Sequence, residues 1–164
     1  MKLLCVILSH DRPDHVAELA RSLTTSAAEA HAFIHFDAGA RGGLFSDLSS
    51  QVATLPRASL VRNRERCRWG DYGLVAAVMQ SLAQARATHG RFDYAVLLSG
   101  ACVPCRPLQQ LWRFLEANKD REFIEVGNAA WVCDCLRAER HHRDCCGPPM
   151  QRRGAYRRSG RGQR

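Results

Sequence analysis

The sequence predicts an open, mainly parallel α/β sheet, and three observations carry that expectation. Apolar runs of strand length alternate with segments of helical periodicity, and each run ends in a small or polar turn. The first run, KLLCVILS, is apolar throughout and does not alternate, as a strand buried on both faces requires. In such a sheet ligands bind beyond the carboxyl ends of the strands, so the residues that follow each run are the candidates for function.

The first strand is expected over Lys2 to Ser9. Asp11 then caps a helix that Pro13 opens with its preset φ, and Val16, Leu19, Ala20 and Leu23 fall on one face. A second strand, Ala32 to Phe36, ends at Asp37 and a glycine-rich turn, followed by a short helix from Leu44 to Val52. A third strand is read at Ser59 to Arg62, and a long helix over Tyr72 to His89. That helix carries Leu74, Val75, Val78, Leu82 and Ala85 as its apolar stripe and Gly90 as its stop. Tyr94 to Leu98 is the fourth strand, Pro107 to Asn118 another helix, and Glu122 to Val126 a fifth strand.

These elements occupy one domain, residues 1–131, and 46% hydrophobic content suffices for its core. Residues 132–164 break the pattern: they are rich in Arg, Gly and Cys, without apolar periodicity, and are expected to be a disordered basic tail. Nine Lys and Arg against three Asp and Glu fall there, so most of the formal charge of +8 belongs to the tail. The run from Leu3 to Leu8 is short and leads into Ser9-His10-Asp11 rather than a cleavage site, which gives a cytoplasmic chain as the default. The eight cysteines are then expected as reduced thiols.

The stretch RNRERCRWGDYGLV, Arg62 to Val75, sets four arginines and a Trp-Gly pair against the start of a helix. Guanidinium groups bind diphosphates through paired hydrogen bonds; Arg62, Arg64, Arg66 and Arg68 alternate, and in an extended loop they project as two opposed pairs. Trp69 beside Gly70 suits stacking on a base or sugar ring. A solvated basic loop is the alternative. Asp37 can accept hydrogen bonds from a ribose or a uracil, or can cap its own glycine-rich turn. Ser99-Gly100 either lets a ligand approach the backbone or forms a plain tight turn.

Cys102 and Cys105, Cys133 and Cys135, and His141, His142, Cys145 and Cys146 offer enough ligands for a tetrahedral zinc site, although their spacing matches no standard finger. A zinc- or nucleic-acid-binding module built on this segment and the arginine-rich tail is therefore the alternative function. A redox reading of Cys102-Val103-Pro104-Cys105 is disfavoured, because a thioredoxin-like motif should open a helix directly after the first strand of its unit. No Asp-x-Asp occurs, so a bound diphosphate is expected to be balanced by arginine rather than by a metal.

Taken in order, CVILSHDRPDHVAELARSL, FIHFD, LVRNRERCRWGDYGLVAAVMQSL, FDYAVLLSGACVP, PLQQLWRFLEAN and EFIE resemble glycosyltransferase family 14, the core-2/I-branching β-1,6-N-acetylglucosaminyltransferases and peptide O-xylosyltransferases. The resemblance runs over about residues 3–126 and implies the donor-binding part of a GT-A-like fold, truncated relative to the family. It implies inverting transfer of GlcNAc or xylose from UDP-GlcNAc or UDP-xylose to a glycan or protein hydroxyl, without a metal cofactor and with no nucleic-acid partner. By motif, Asp37 takes the nucleotide-contacting position, Arg64 to Trp69, with Arg68, lines the donor pocket, and Ser99-Gly100 forms the family's small turn. Cys102 stands where the family has a carboxylate, and Gly73 where Ser or Ala is common. The family's catalytic carboxylate belongs to a part that this chain does not resemble, so no catalytic residue is assigned. Animal relatives are Golgi membrane proteins, which is the alternative location.

Overall fold

The structure, a computed structural model, describes residues 1–25, 29–68, 71–119 and 121–123. Contacts divide the chain into Met1–Asp120 and Arg121–Arg164. The three described residues of the second unit have no regular structure, and all that follows concerns the first. Trp69, Gly70, most of the expected fifth strand and the whole tail, including Cys133, Cys135, His141, His142, Cys145 and Cys146, lie outside the described residues.

Four strands and four helices alternate: β1 (Leu3–Ser9), α1 (Pro13–Thr25), β2 (Ala30–Phe36), α2 (Leu44–Val52), β3 (Ala58–Leu60), α3 (Gly73–His89), β4 (Tyr94–Ser99) and α4 (Leu108–Ala117). Every pairing is parallel and the order is β3-β2-β1-β4. The chain winds outward from β1 to β3, and α3 returns it to the other side of β1. Because the winding reverses at β1, the carboxyl ends of β1 and β4 form the switch point where a crevice opens.

The apolar run of β1 is explained by its central place, with Leu3, Cys5 and Ile7 packing toward α1, α2 and α4, and Leu4 and Val6 toward α3. On the first side α1 contributes Val16, Leu19, Ala20 and Leu23, the stripe read from the sequence. Arg12, at φ 47°, precedes the first residue of that helix. Asp11, expected to cap it, instead lies one residue further out, with its carboxylate 3.9 Å from His10 Nε2. The third strand is shorter than expected and lies earlier in the chain, at Ala58–Leu60.

The face of α3 agrees with expectation at Leu82 and Ala85, which pack on Leu4, Val6 and Phe33, and differs in its first turn. Its buried residues are Ala77, Ser81 and Ala85, whereas Leu74 and Val75 are about half exposed. Small side chains at four-residue spacing let the helix sit low on the sheet and leave Leu74 and Val75 of its first turn outside that contact. Tyr72, Leu74, Val75 and Met79 of this region, with Leu97 of β4, are consequently exposed apolar residues.

Candidate functional site

At the carboxyl end of β1, neighbouring loops are tied to one strand from both sides. The Leu8 carbonyl accepts the Gly100 amide at 2.7 Å, and the Ser9 carbonyl accepts the Asp37 amide at 2.8 Å. Gly100 is held still more closely: a Cβ there would lie 2.5 Å from Ser9 Cβ and nearer still to Ser9 Oγ. The smallness of the Ser99-Gly100 turn thus serves Ser9 at that position. Ser99 itself is exposed, and its hydroxyl accepts the Ala101 amide at 3.2 Å.

Asp37 is buried, at 8% exposure, and braces two loops at once. Oδ1 accepts the Gly39 amide, which closes the glycine-rich turn, and Oδ2 accepts the Cys67 amide at 3.1 Å, in the middle of the arginine segment. Its backbone carbonyl accepts from Arg64 at 3.4 Å. The turn-capping reading of this residue is therefore realised, and the same carboxylate also holds the arginine loop. The carboxylate retains lone-pair capacity for a further donor.

A second anchor was not anticipated. His35 is 1% exposed on β2, and its Nε2 accepts the Glu65 amide at 2.8 Å. The proton of the neutral ring then belongs on Nδ1. Burial is the main cause holding this imidazole below its ordinary range, outweighing the opposing influence of Asp37. The available signal was the position itself: a polar residue within FIHF must find a partner if the strand is buried. Glu65 in turn accepts from Gln80 of α3, so strand, loop and helix are joined.

The four arginines do not act as two equivalent pairs. Arg64 is half-buried, with its guanidinium carbon 3.7 Å from the centre of the Phe45 ring, an arrangement that favours packing of the loop on α2. Arg62, Arg66 and Arg68 are exposed. Gly73 has no room for a side chain, because a Cβ would lie 2.5 Å from the Arg66 carbonyl oxygen. The arginine loop therefore rests directly on the first turn of α3.

These elements surround a cleft of about 620 Å³ on the α3 side of the sheet, within the size range of small-molecule sites. Its polar lining comes from Ser9, His10, His35, Asp37, Arg68 and Ser99, and Leu74 and Leu97 contribute an apolar wall. Of the residues singled out in the sequence, Asp37, Arg68 and Ser99 thus meet at one cleft, whereas Arg64 and Gly100 support it from outside. Leu74 brings the first turn of α3 to the same place, and the helix has no side-chain cap there. Unpaired amides at a helix start favour negative charge.

Among the described residues no group of three His, Cys, Asp or Glu is placed to hold a metal ion, and no helix is long and apolar enough to cross a membrane. Cys102 and Cys105 are free thiols.

The family model described as Branch, Core-2/I-Branching enzyme, matches residues 8–153. The match continues beyond Val126, where the resemblance of individual motifs stops. Xylosyltransferase oxt of Drosophila melanogaster is 27% identical over 93 residues, and the same protein of Drosophila pseudoobscura pseudoobscura is equally similar. The matched stretch is 57% of this chain and 10% of those proteins, so the chain corresponds to about a tenth of the length of these relatives. With a parallel α/β sheet, a cleft at its switch point and a family match over most of its length, the chain belongs to the Core-2/I-branching enzyme family, glycosyltransferase family 14.

Proposed function

We propose that the cleft between Asp37, Arg68 and Ser99 is the donor site of an inverting glycosyltransferase, taking UDP-GlcNAc or UDP-xylose and transferring the sugar to a hydroxyl of a glycan or protein. The observation that carries this reading is the joint placement of Asp37, Arg68 and the uncapped start of α3 at one cleft beyond the strand ends. A carboxylate accepts from ribose hydroxyls or the uracil N–H, whereas a guanidinium and free helix amides attract a diphosphate. The nucleoside is accordingly assigned to the Asp37 side and the diphosphate to the Arg68 side.

In an inverting transfer the acceptor oxygen attacks the anomeric carbon as the bond to the diphosphate breaks, so negative charge grows on the departing phosphate. Arg68 and the first turn of α3 would stabilise that charge without a metal ion. Trp69 adjoins Arg68 in sequence and is proposed to stack on the base or the sugar. The general base that takes the acceptor proton is not assigned to any residue.

Calorimetric titration of the full chain with UDP tests the reading. Heat of binding that survives a chelator and weakens in Arg68→Ala is the expected result. Absence of binding at millimolar UDP overturns it, and binding that requires a divalent cation overturns the metal-independent form. Transferase assays with both UDP-sugars then decide the donor.

A further inference from the structure

Cys102-Val103-Pro104-Cys105 is left unused by the donor site and lies, as the sequence places it, between the end of β4 and the start of α4. It follows the fourth strand and ends before the helix, so it lacks the helix-opening placement of a thioredoxin-like motif. Its first residue is tied to the strand end, the Cys102 amide donating to the Ser99 carbonyl at 3.0 Å. Both thiols are free and both border the same apolar cavity of about 400 Å³, formed with Leu19, Leu23, Val96 and Leu111. Cys105 is exposed and Cys102 half-buried. Cys105 is thus the thiol that an external disulfide reaches first.

We infer that Cys102 and Cys105 form a redox-active dithiol that exchanges with low-molecular-weight disulfides. The Cys105 thiolate attacks one sulfur of the external disulfide, forming a mixed disulfide and releasing one thiolate, which takes up a proton. Cys102, deprotonated in turn, attacks Cys105 Sγ and expels the second thiolate. The protein loses two thiol hydrogens and two electrons, and the external disulfide becomes two thiols. Cys5 also borders the cavity but does not compete, because burial pushes its thiol up to about 12.

The test uses the full chain, first reduced with dithiothreitol and then equilibrated with glutathione disulfide and glutathione. Its tryptic peptide from Phe92 to Arg113 contains these two cysteines and no other, since the Arg106-Pro107 bond resists cleavage. The expected product is that peptide lighter by two hydrogen atoms and restored by dithiothreitol. In Cys102→Ser the glutathione adduct should accumulate on Cys105. In Cys105→Ser, adduct formation on this peptide should be roughly tenfold slower, as expected when the exposed thiol is lost and only the half-buried one remains. The proposal is overturned if the wild-type peptide carries only separate glutathione adducts, if it links to other cysteines instead, or if the two variants react at equal rates. None of these readouts depends on UDP binding, so this site and the donor site stand or fall separately.

Discussion

Asp37 and Cys67 are joined by a 3.1 Å hydrogen bond from the Cys67 amide to the carboxylate, which fixes the middle of the arginine loop to the end of β2. The other carboxylate oxygen is held by the Gly39 amide, so one side chain sets the spacing of two loops around the cleft.

Replacement of Asp37 should consequently affect both binding and stability. Asp37→Ala leaves two amides without their acceptor and is expected to cost about 3–6 kcal/mol, since each hydrogen bond to a charged group is worth about 1.5–3 kcal/mol. Asp37→Asn keeps one acceptor oxygen and should cost less. Denaturant unfolding measures the first quantity, and UDP titration should show weaker binding in both variants. A full-strength donor site in Asp37→Ala would remove the residue from the site.

Two arginines of the same loop should behave oppositely. Arg68 is exposed at the cleft, so Arg68→Ala is expected to weaken UDP binding at least tenfold while leaving the melting temperature nearly unchanged. Arg64 stacks on Phe45 and donates to the Asp37 carbonyl. Arg64→Ala should lower stability by about 1 kcal/mol, reducing binding only through the loosened loop. Thermal unfolding and calorimetry on both variants separate the two roles.

The contact between Ser9 and Gly100 makes a reciprocal prediction. Gly100→Ala forces its new Cβ against Ser9, and is expected to destabilise by about 1–3 kcal/mol. Ser9→Gly removes the obstructing side chain, so the double variant should recover most of that loss. Chemical denaturation of the two single variants and the pair gives the coupling directly.

Acid should loosen the arginine loop. Burial holds His35 below its ordinary value of 6.5, so the folded state prefers the neutral ring. Its contribution to stability is complete above pH 6.5 and is lost as the pH falls through the lower folded value. His31 is shifted the same way, by burial and then by the adjoining His89 and Lys2 charges, and adds a slope of the same sign. Stability measured from pH 7.5 downward should therefore be flat and then decline. His35→Gln, which keeps an acceptor without a titrating ring, should flatten part of that decline and leave the His31 share. Unchanged pH dependence in this variant would exclude His35 as a contributor.

Much of the fold was legible because burial on both faces leaves a plain mark. The unbroken apolar run of β1 and the stripe Val16, Leu19, Ala20, Leu23 led directly to the central strand and its covering helix. The face of α3 was legible only in part: Leu82 and Ala85 of the expected stripe do pack on the sheet, but helical spacing does not say that the small Ala77 and Ser81, rather than Leu74 and Val75, continue that contact toward the start of the helix. At the site, the position of Asp37 after a strand was readable, as was the turn at Ser99. The division of labour between Arg64 and Arg68 was not, because it depends on Phe45, a residue distant in sequence that only the folded chain brings beneath the loop.

The central place of β1 also bears on the order in which the sheet is assembled. Its first neighbour, β2, follows after one helix, whereas its second pairs Leu3 with Tyr94, far along the chain. As the chain emerges during synthesis, β1, α1, β2, α2 and β3 can gather first, with one flank of β1 waiting for β4. Closing that distant pairing carries the larger loop entropy and is the step expected to be slow. The cleft straddles this late seam, so its completion would be among the last events in forming the domain.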